Sequence, residues 1–502
     1  MPPDPQSVYF NVALGVCLGI FVIFALVYFG RLFLLIEYRQ WAVPGSQVPF
    51  NLVQSRTMGF WTAASIASVC GYVPECHNVV HIALLAAAGC FLALALRRLL
   101  PAPWFLPVAA VAFFLFTEPM LNALSWQATI LDKLAVFFSA LAIYLVARID
   151  LRRADARTVA VTNLSTFLVV FAAYNSKEAA FSLVFSLIGL LTLRFVDADG
   201  AASPAVWARA ARKALTYLAA PTLYGAYHLV VTFASRASAS PADAAHNVGG
   251  SVLFNVYHYL VYMFNGEPIA RALNKFPYIP PDDRTTFLVF CAIAVLAAGA
   301  VIVWRASRSV ARWWVWAAIS FALALMIPAR TEATSAFYLL VPGFYLAILL
   351  YATVVAFLQA FPSRDAVRVT GALAALVLAI HLVDFLKLTP PYWHISRESA
   401  NFVDALDDLR TQLARTPAPA HVAFSYPKTE AGYLFVQPPG SRVLAEYILP
   451  RGTPNAAYQA LDAAITDQTY DGAEPNPAPA AGTISIVLGD TLRLDKLVAP
   501  SR

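Results

Sequence analysis

The chain has 502 residues, 60% of them hydrophobic and only 13% charged, where ordinary soluble domains carry about a quarter charged residues. Water is therefore not its main solvent. The formal charge of +6 does not indicate a nucleic-acid partner, because the basic residues are scattered between apolar blocks and form no patch or tail.

The first apolar block, Val8 to Phe29, is about as long as a bilayer span and has no basic run before it, so it reads as a permanent helix and not as a cleaved signal. Blocks of about twenty apolar residues follow near 78–96, 103–119, 131–148, 161–174, 178–195, 215–234, 286–304, 313–329, 336–360 and 369–389. Several contain Gly or Pro, which membrane helices tolerate. The expectation is an α-helical polytopic membrane protein with about eleven transmembrane helices.

Lys and Arg alternate between the connections. Arg97, Arg98, Arg148, Arg152, Arg153, Arg157, Arg209, Arg212, Lys213, Arg305, Arg308, Arg312, Arg364 and Arg368 fall in every second one, which puts those connections in the cytoplasm. The others are two long loops, 30–77 and 235–285, and three short ones holding Lys133, Lys177 or Arg330. An odd number of spans then sets the N-terminus inside and the tail outside.

Cys17, Cys90 and Cys291 lie in apolar blocks, whereas Cys70 and Cys76 share one outer loop and are candidates for a disulfide. Tyr257, His258, Tyr259, Tyr262, Phe264 and Phe276 give the second long loop an aromatic surface suited to the membrane interface or to stacking on sugars. Pro390 and Pro391 predict a turn out of the membrane domain, residues 1–389, into a small extracytoplasmic α/β domain, 390–502. There the pattern predicts an amphipathic helix from Ser396 to Ala414, with Phe402, Val403, Leu406, Leu409 and Leu413 on one face. Strands are expected at 421–426, 442–448 and 483–488, with 469–482 a flexible loop.

Charges at membrane depth are expensive and face cavities or partners, so Glu118, Asp132, Lys177, Glu178, Arg330 and Glu332, all at outer helix ends, outline a candidate polar cavity. The plainer reading is loop charges in water. His77 and His81, four apart on a helix face with Glu75 nearby, are an incomplete metal set, and no zinc is expected. Walker, Rossmann and nucleophile-elbow motifs are absent from the sequence.

Order along the chain carries a resemblance. Pro74-Glu-Cys-His-Asn-Val-Val-His81 before a helix ending Leu-Arg-Arg98, then Glu118-Pro-Met-Leu-Asn-Ala-Leu-Ser-Trp126 through Asp132, then Ser176-Lys-Glu178 opening a helix, then Arg330 to Pro342 with Tyr338 between, resembles GT-C superfamily membrane glycosyltransferases. The branch most similar is that of the tetratricopeptide-bearing protein O-mannosyltransferases. The resemblance covers roughly residues 70–345 and implies transfer of a sugar from a polyprenyl phosphate to an extracytoplasmic glycan, lipid or protein, generally with inversion. It requires no cofactor and leaves a divalent metal open. Such transfer needs a carboxylate for the acceptor's proton, cations for the leaving phosphate and an apolar groove for the lipid.

The family's acidic residue soon after helix one is commonly Asp, and here it is missing. Glu37 and Glu75 are the carboxylates between the first two helices, so Glu37 is the candidate base by position, against a rival reading in which it pairs with Arg31 or Arg39 in water. Asp132 would orient the acceptor or a metal, although a helix N-terminus also favours Asp without any function. Lys177 and Arg330 would bind phosphate, against pairing of Lys177 with Glu178 and snorkelling of Arg330. His77, Asn78, His81, Glu118, Trp126, Glu178 and Tyr338 would contact substrate. The Ala-rich composition fits a high-GC bacterium, which points to a bacterial inner membrane and leaves the endoplasmic reticulum open. Two rivals remain: a transporter or flippase of a lipid-linked substrate, against which no internal repeat is seen, and a non-catalytic assembly subunit, favoured by the missing Asp.

Overall fold

The computed structural model describes residues 5–31, 56–70, 73–125, 129–151, 155–200, 203–237, 252–265, 297, 299–301, 303, 308–326, 328–330, 336–413, 421–427, 465–470, 483–489 and 494–498. Glu37, Trp126, Glu332, Phe276, Cys291 and the expected strand 442–448 lie outside these residues, as does most of the block 286–304.

The helices are α1 Pro5–Phe29, α2 Thr57–Cys70, α3 Pro74–Leu99, α4 Phe105–Leu115, α5 Glu118–Ser125, α6 Ile130–Arg148 and α7 Ala156–Tyr174. They continue with α8 Ser182–Asp199, α9 Pro204–Tyr217, α10 Ala219–Ala237, α11 Val252–Met263, α12 Arg308–Met326, α13 Leu340–Ala360 and α14 Arg364–Leu413. Among the described residues, eight helices are long and apolar enough to cross a membrane, nine if the bent pair α4 and α5 is one span. The block at 215–234 is the helix α10, which is not among these eight. Val161, Leu164 and Leu168 of α7 and Leu373, Leu376 and Ile380 of α14 are exposed, as lipid-facing surfaces must be. The protein is a multispan α-helical membrane protein with a small sheet after its last helix.

Local chemistry sets the helix ends. Asp155 accepts from Thr158 N to cap α7, and Ser203 accepts from Val206 N to cap α9 with Pro204 behind it. Gly200, at φ 69°, closes α8 in the left-handed conformation that Gly adopts without strain. Between helices, small residues permit close approach: a Cβ on Gly189 would come within 2.9 Å of the Trp316 ring.

The 53° break between α4 and α5 frees backbone groups that cannot stay unbonded in the hydrocarbon region. Asn265 takes them: its Oδ1 accepts from Glu118 N at 2.7 Å and its Nδ2 donates to Phe116 O at 3.1 Å and to His381 O at 3.2 Å.

Two expectations are corrected. The turn at Pro390 and Pro391 does not occur, because α14 runs unbroken from Arg364 to Leu413. Each interior proline costs a helix about 3 kcal/mol. Against this, Tyr392, Phe402, Leu406 and Leu409 are fully buried beyond the prolines, each contributing about 1.5–3 kcal/mol, and Thr389 Oγ1 donates to Phe385 O at 3.0 Å one turn below. The expected amphipathic face is the buried one. In the aromatic segment at 257–264, which falls largely on helix α11, Tyr259 and Tyr262 are buried and not part of an exposed surface. Its polar groups hold another turn of the chain in place, which lets aromatic side chains sit inside the bundle.

Four strands follow: β1 His421–Pro427, β2 Ile465–Tyr470, β3 Thr483–Leu488 and β4 Leu494–Val498, in the order β2-β1-β3-β4. β1 pairs parallel with β2 and β3, and β4 antiparallel to β3. β1 and β3 match expected strands; β2 and β4 were not anticipated.

The connections fall on two rims. On one, Arg194 donates to Val146 O and Ile149 O, Trp313 Nε1 donates to Asp197 at 2.8 Å, and Tyr351 Oη donates to Leu100 O at 2.7 Å. This rim carries the basic connections expected in the cytoplasm. The other gathers the candidate site.

Candidate functional site

Asp132 lies in the first turn of α6, where the helix dipole favours an anion. Its Oδ2 is 3.2 Å from Lys177 Nζ, and the two side chains are only 3% and 11% exposed. Lys177 Nζ also stands 5.2 Å from the centroid of the Tyr338 ring, within cation–π range. Tyr338 is on a single 3-10 turn, Ala336–Leu339, just before α13. Two residues of the expected polar cavity, Asp132 and Lys177, and one expected substrate contact, Tyr338, are thus brought together from three separate stretches of chain.

The turn carrying Lys177 is fastened from several sides. Ser176 Oγ donates to Ala172 O at 2.7 Å, and Asn175 Nδ2 donates to Phe171 O at 2.9 Å and to the Tyr224 hydroxyl. From α2, the N–H groups of Met58 and Gly59 donate to Asn175 O at 2.9 and 3.3 Å. A disulfide from Cys70 to Cys76 then joins the far end of α2 to the first turn of α3, with 5.5 Å between Cα atoms. A short helix is therefore pinned over the ion pair at both ends.

On α3, His77 and His81 are buried one turn apart. Lys133, fully buried beside Asp132 on α6, has its Nζ 2.8 Å from His81 Nδ1. Asn78 points another way, donating from Nδ2 to Gly30 O at 3.1 Å beyond the end of α1; an expected substrate contact thus also secures α1.

Glu118 occupies a second polar node. It is fully buried at the start of α5, all of whose residues are buried. Asn122, one turn on, has its Nδ2 3.5 Å from the Tyr392 hydroxyl of α14. Burial pushes the Tyr392 phenol well above its usual range, and the nearby Glu118 carboxylate adds to this. Across the segment 126–128, Thr129 Oγ1 donates to Ala123 O at 2.8 Å, coupling α5 to the start of α6.

Arg330 ends the 3-10 turn Pro328–Arg330 and Glu178 opens the turn Glu178–Phe181; their side chains, like Glu37 and Trp126, lie outside the described residues. The Arg330 turn is held by α11, where Asn255 Nδ2 donates to Ala329 O at 2.9 Å and Tyr259 Oη to Pro328 O at 3.2 Å. Arg31, considered as a partner for Glu37, pairs with Asp404 at 2.7 Å and Glu75 at 3.2 Å. The hydrogen bond to Asp404 raises its pKa, countered in part by desolvation. Among the described residues no three His, Cys, Asp or Glu side chains converge as a metal-binding set.

Sequence reasoning did not single out Lys133, Asn175, Asn255, Asn265 or Tyr392 as parts of this site. A lone Lys one position after Asp132 at the start of an apolar helix was the available signal for Lys133. The others had none, since each has a partner far away in sequence, Asn175 in addition to its local bond to Phe171 O.

A lateral cavity of about 680 Å³ lies between α1, α4 and α14. Phe24, Trp104, Phe116 and Phe385 form its aromatic walls, with Ala112 and Gly371 among its small residues. Val16, Ile20 and Leu386 are exposed at its mouth, so it opens toward lipid, and its Phe116 end adjoins the α4–α5 break.

No protein-family model matches the chain, and no curated protein matches it. Among solved structures, the chain is similar to the oligosaccharyltransferase of Archaeoglobus fulgidus, determined with a disulfide-tethered acceptor peptide containing the NVT sequon. Identity is 11%, the TM-score is 0.41, and the match covers 87% of this chain and 63% of the other. The chain thus spans less than two thirds of that enzyme's length.

Proposed function

We propose that the protein is a GT-C-type membrane glycosyltransferase, moving a sugar from a polyprenyl-phosphate donor to an extracytoplasmic glycan, lipid or protein, with inversion. The observation that carries this reading is the buried Asp132–Lys177 pair beside Tyr338. Burying two charges costs several kcal/mol per ion before their attraction is counted, so a fold that needed only stability would do as well with apolar residues. As a site, the pair is ready for chemistry: an arriving phosphate competes with Asp132 for the Lys177 ammonium, freeing the carboxylate as charge is delivered to the cation.

In this reading Lys177 and Arg330 bind the phosphate, Glu37 takes the acceptor's proton, and Asp132 orients the acceptor. Trp126, Glu178, His77 and His81 contact the substrates, and Glu118 with Asn122 forms a further polar wall. The cavity between α1, α4 and α14 suits the lipid chain, being apolar, open to the bilayer and of ligand-pocket size.

We place the site on the extracytoplasmic face of a bacterial inner membrane, with the N-terminus cytoplasmic and residues 390–502 periplasmic. Two observations support the orientation. The opposite rim holds the dense basic connections, and the Cys70–Cys76 disulfide suits an oxidising compartment. The division near residue 390 coincides with the end of the last spanning segment, Arg364–Pro390.

The test is transfer of radiolabelled sugar from a panel of polyprenyl-phosphate donors by purified protein in lipid vesicles, comparing wild type with Glu37→Gln and Asp132→Asn. Loss of about 10²- to 10⁴-fold in either variant supports the enzyme and locates its carboxylate. Folded protein that transfers nothing from any donor sinks the reading and favours a transporter or a non-catalytic assembly subunit.

A further inference from the structure

Lys133 and Asp132 are neighbours on α6, so their side chains leave the helix about 100° apart. Asp132 reaches the loop at Lys177, while Lys133 reaches His81 on α3. Lys133 is fully buried and His81 is 3% exposed. An ammonium has three donors and no acceptor, so at 2.8 Å it is Lys133 that donates and His81 Nδ1 that accepts. In a neutral imidazole only one nitrogen accepts; the other then carries the hydrogen.

We infer that Lys133 is a positioning residue, which locks His81 in the tautomer with the hydrogen on Nε2 and thereby supplies a fixed N–H donor for the phosphate of a polyprenyl-phosphate ligand. This rests on the glycosyltransferase reading for its ligand, but the tautomer itself does not. In the transfer step, the acceptor oxygen bonds to the anomeric carbon and the bond from that carbon to the phosphate oxygen breaks, its electron pair leaving on phosphate. The acceptor's proton goes to the carboxylate base. His81 Nε2–H hydrogen-bonds the departing oxygen and keeps its proton.

The experiment is ¹⁵N NMR of ring-labelled histidine in the full chain reconstituted in lipid nanodiscs, with the His81 signals assigned by their loss in His81→Gln. The expected wild-type spectrum has a protonated Nε2 and an unprotonated Nδ1 for His81, Lys133→Met gives a tautomer mixture, and Lys133→Arg restores the wild-type pattern. Short-chain polyprenyl phosphate should move the Nε2 resonance; inorganic phosphate reports whether the headgroup alone suffices. Where transfer is measured, Lys133→Met should lower kcat about tenfold with donor KM nearly unchanged.

A protonated Nδ1 in wild type, or a tautomer indifferent to Lys133→Met, overturns the inference. So does an Nε2 signal unmoved by polyprenyl phosphate. The expected tautomer with a ligand shift upholds it even if no sugar is transferred, in which case the glycosyltransferase reading fails separately.

Discussion

The two rims of this bundle use the same ion-pair chemistry under opposite conditions. On the basic rim, Arg368 and Asp365 pair at 3.5 Å with side chains 80% and 86% exposed. On the other, Asp132 and Lys177 pair at 3.2 Å with 3% and 11% exposed. Water screens the first, and such pairs contribute about 0–1 kcal/mol. In the proposed orientation the basic residues of this rim mark the cytoplasmic side. The second exists only because the surrounding helices exclude water, so each charge depends on the other. Comparable bond lengths therefore say little, and burial is what separates an exposed charge pair from a candidate site.

The sharpest way to break this contrast is Lys177→Met, which takes the buried ammonium away from Asp132. Stability should fall by about 3–5 kcal/mol, read as thermal denaturation in detergent, and transfer by about 10²- to 10⁴-fold. Adding Asp132→Asn should recover much of the stability and none of the transfer. If stability is unchanged in Lys177→Met, the pair is not buried as described.

Gly59→Leu should act next most strongly. A Cβ there would lie 1.9 Å from Leu131 Cδ2 and 3.3 Å from Ser176 O, pushing α2 off the loop that carries Lys177. About 1–3 kcal/mol of overpacking is expected, with transfer falling more than stability predicts. Wild-type transfer would show that α2 does not shape the site.

The disulfide tests the assignment of rims. Cys70→Ser should cost about 2 kcal/mol by the loop-closure model for so short a loop. In intact cells, a membrane-impermeant maleimide should label Cys70 and Cys76 only after reduction. Labelling that requires permeabilised cells would invert the topology.

The smallest effect belongs to the basic rim. Arg368→Ala should change stability by less than about 0.5 kcal/mol and leave transfer intact. A larger loss of activity would mean that the exposed rim takes part in the site.

The spans were legible because twenty apolar residues have few other fates, and Pro5–Phe29, Pro74–Leu99, Ile130–Arg148 and Leu340–Ala360 begin and end within a few residues of the expected blocks. The order of polar segments singled out Asp132, Lys177 and Tyr338, and the structure brings these three near one another. What was not legible depends on distance along the chain. His81 and Lys133 are separated by 52 residues, and Asn122 and Tyr392 by 270. Nothing local in either sequence segment names its partner. Misreadings arose where a local rule met a tertiary override: Pro390 and Pro391 forbid a helix less strongly than the burial of Tyr392, Phe402, Leu406 and Leu409 favours it.

Hydropathy and the placement of Lys and Arg are properties of each segment alone, because every segment meets the same bilayer, and so the sequence by itself determined a multispan protein with one basic rim. Pairing is a property of two segments. Whether Lys177 is a solvated loop charge or the buried partner of Asp132, and whether His81 is a lone imidazole or the acceptor of Lys133, were decided only when helix packing excluded water and brought the groups within hydrogen-bonding distance.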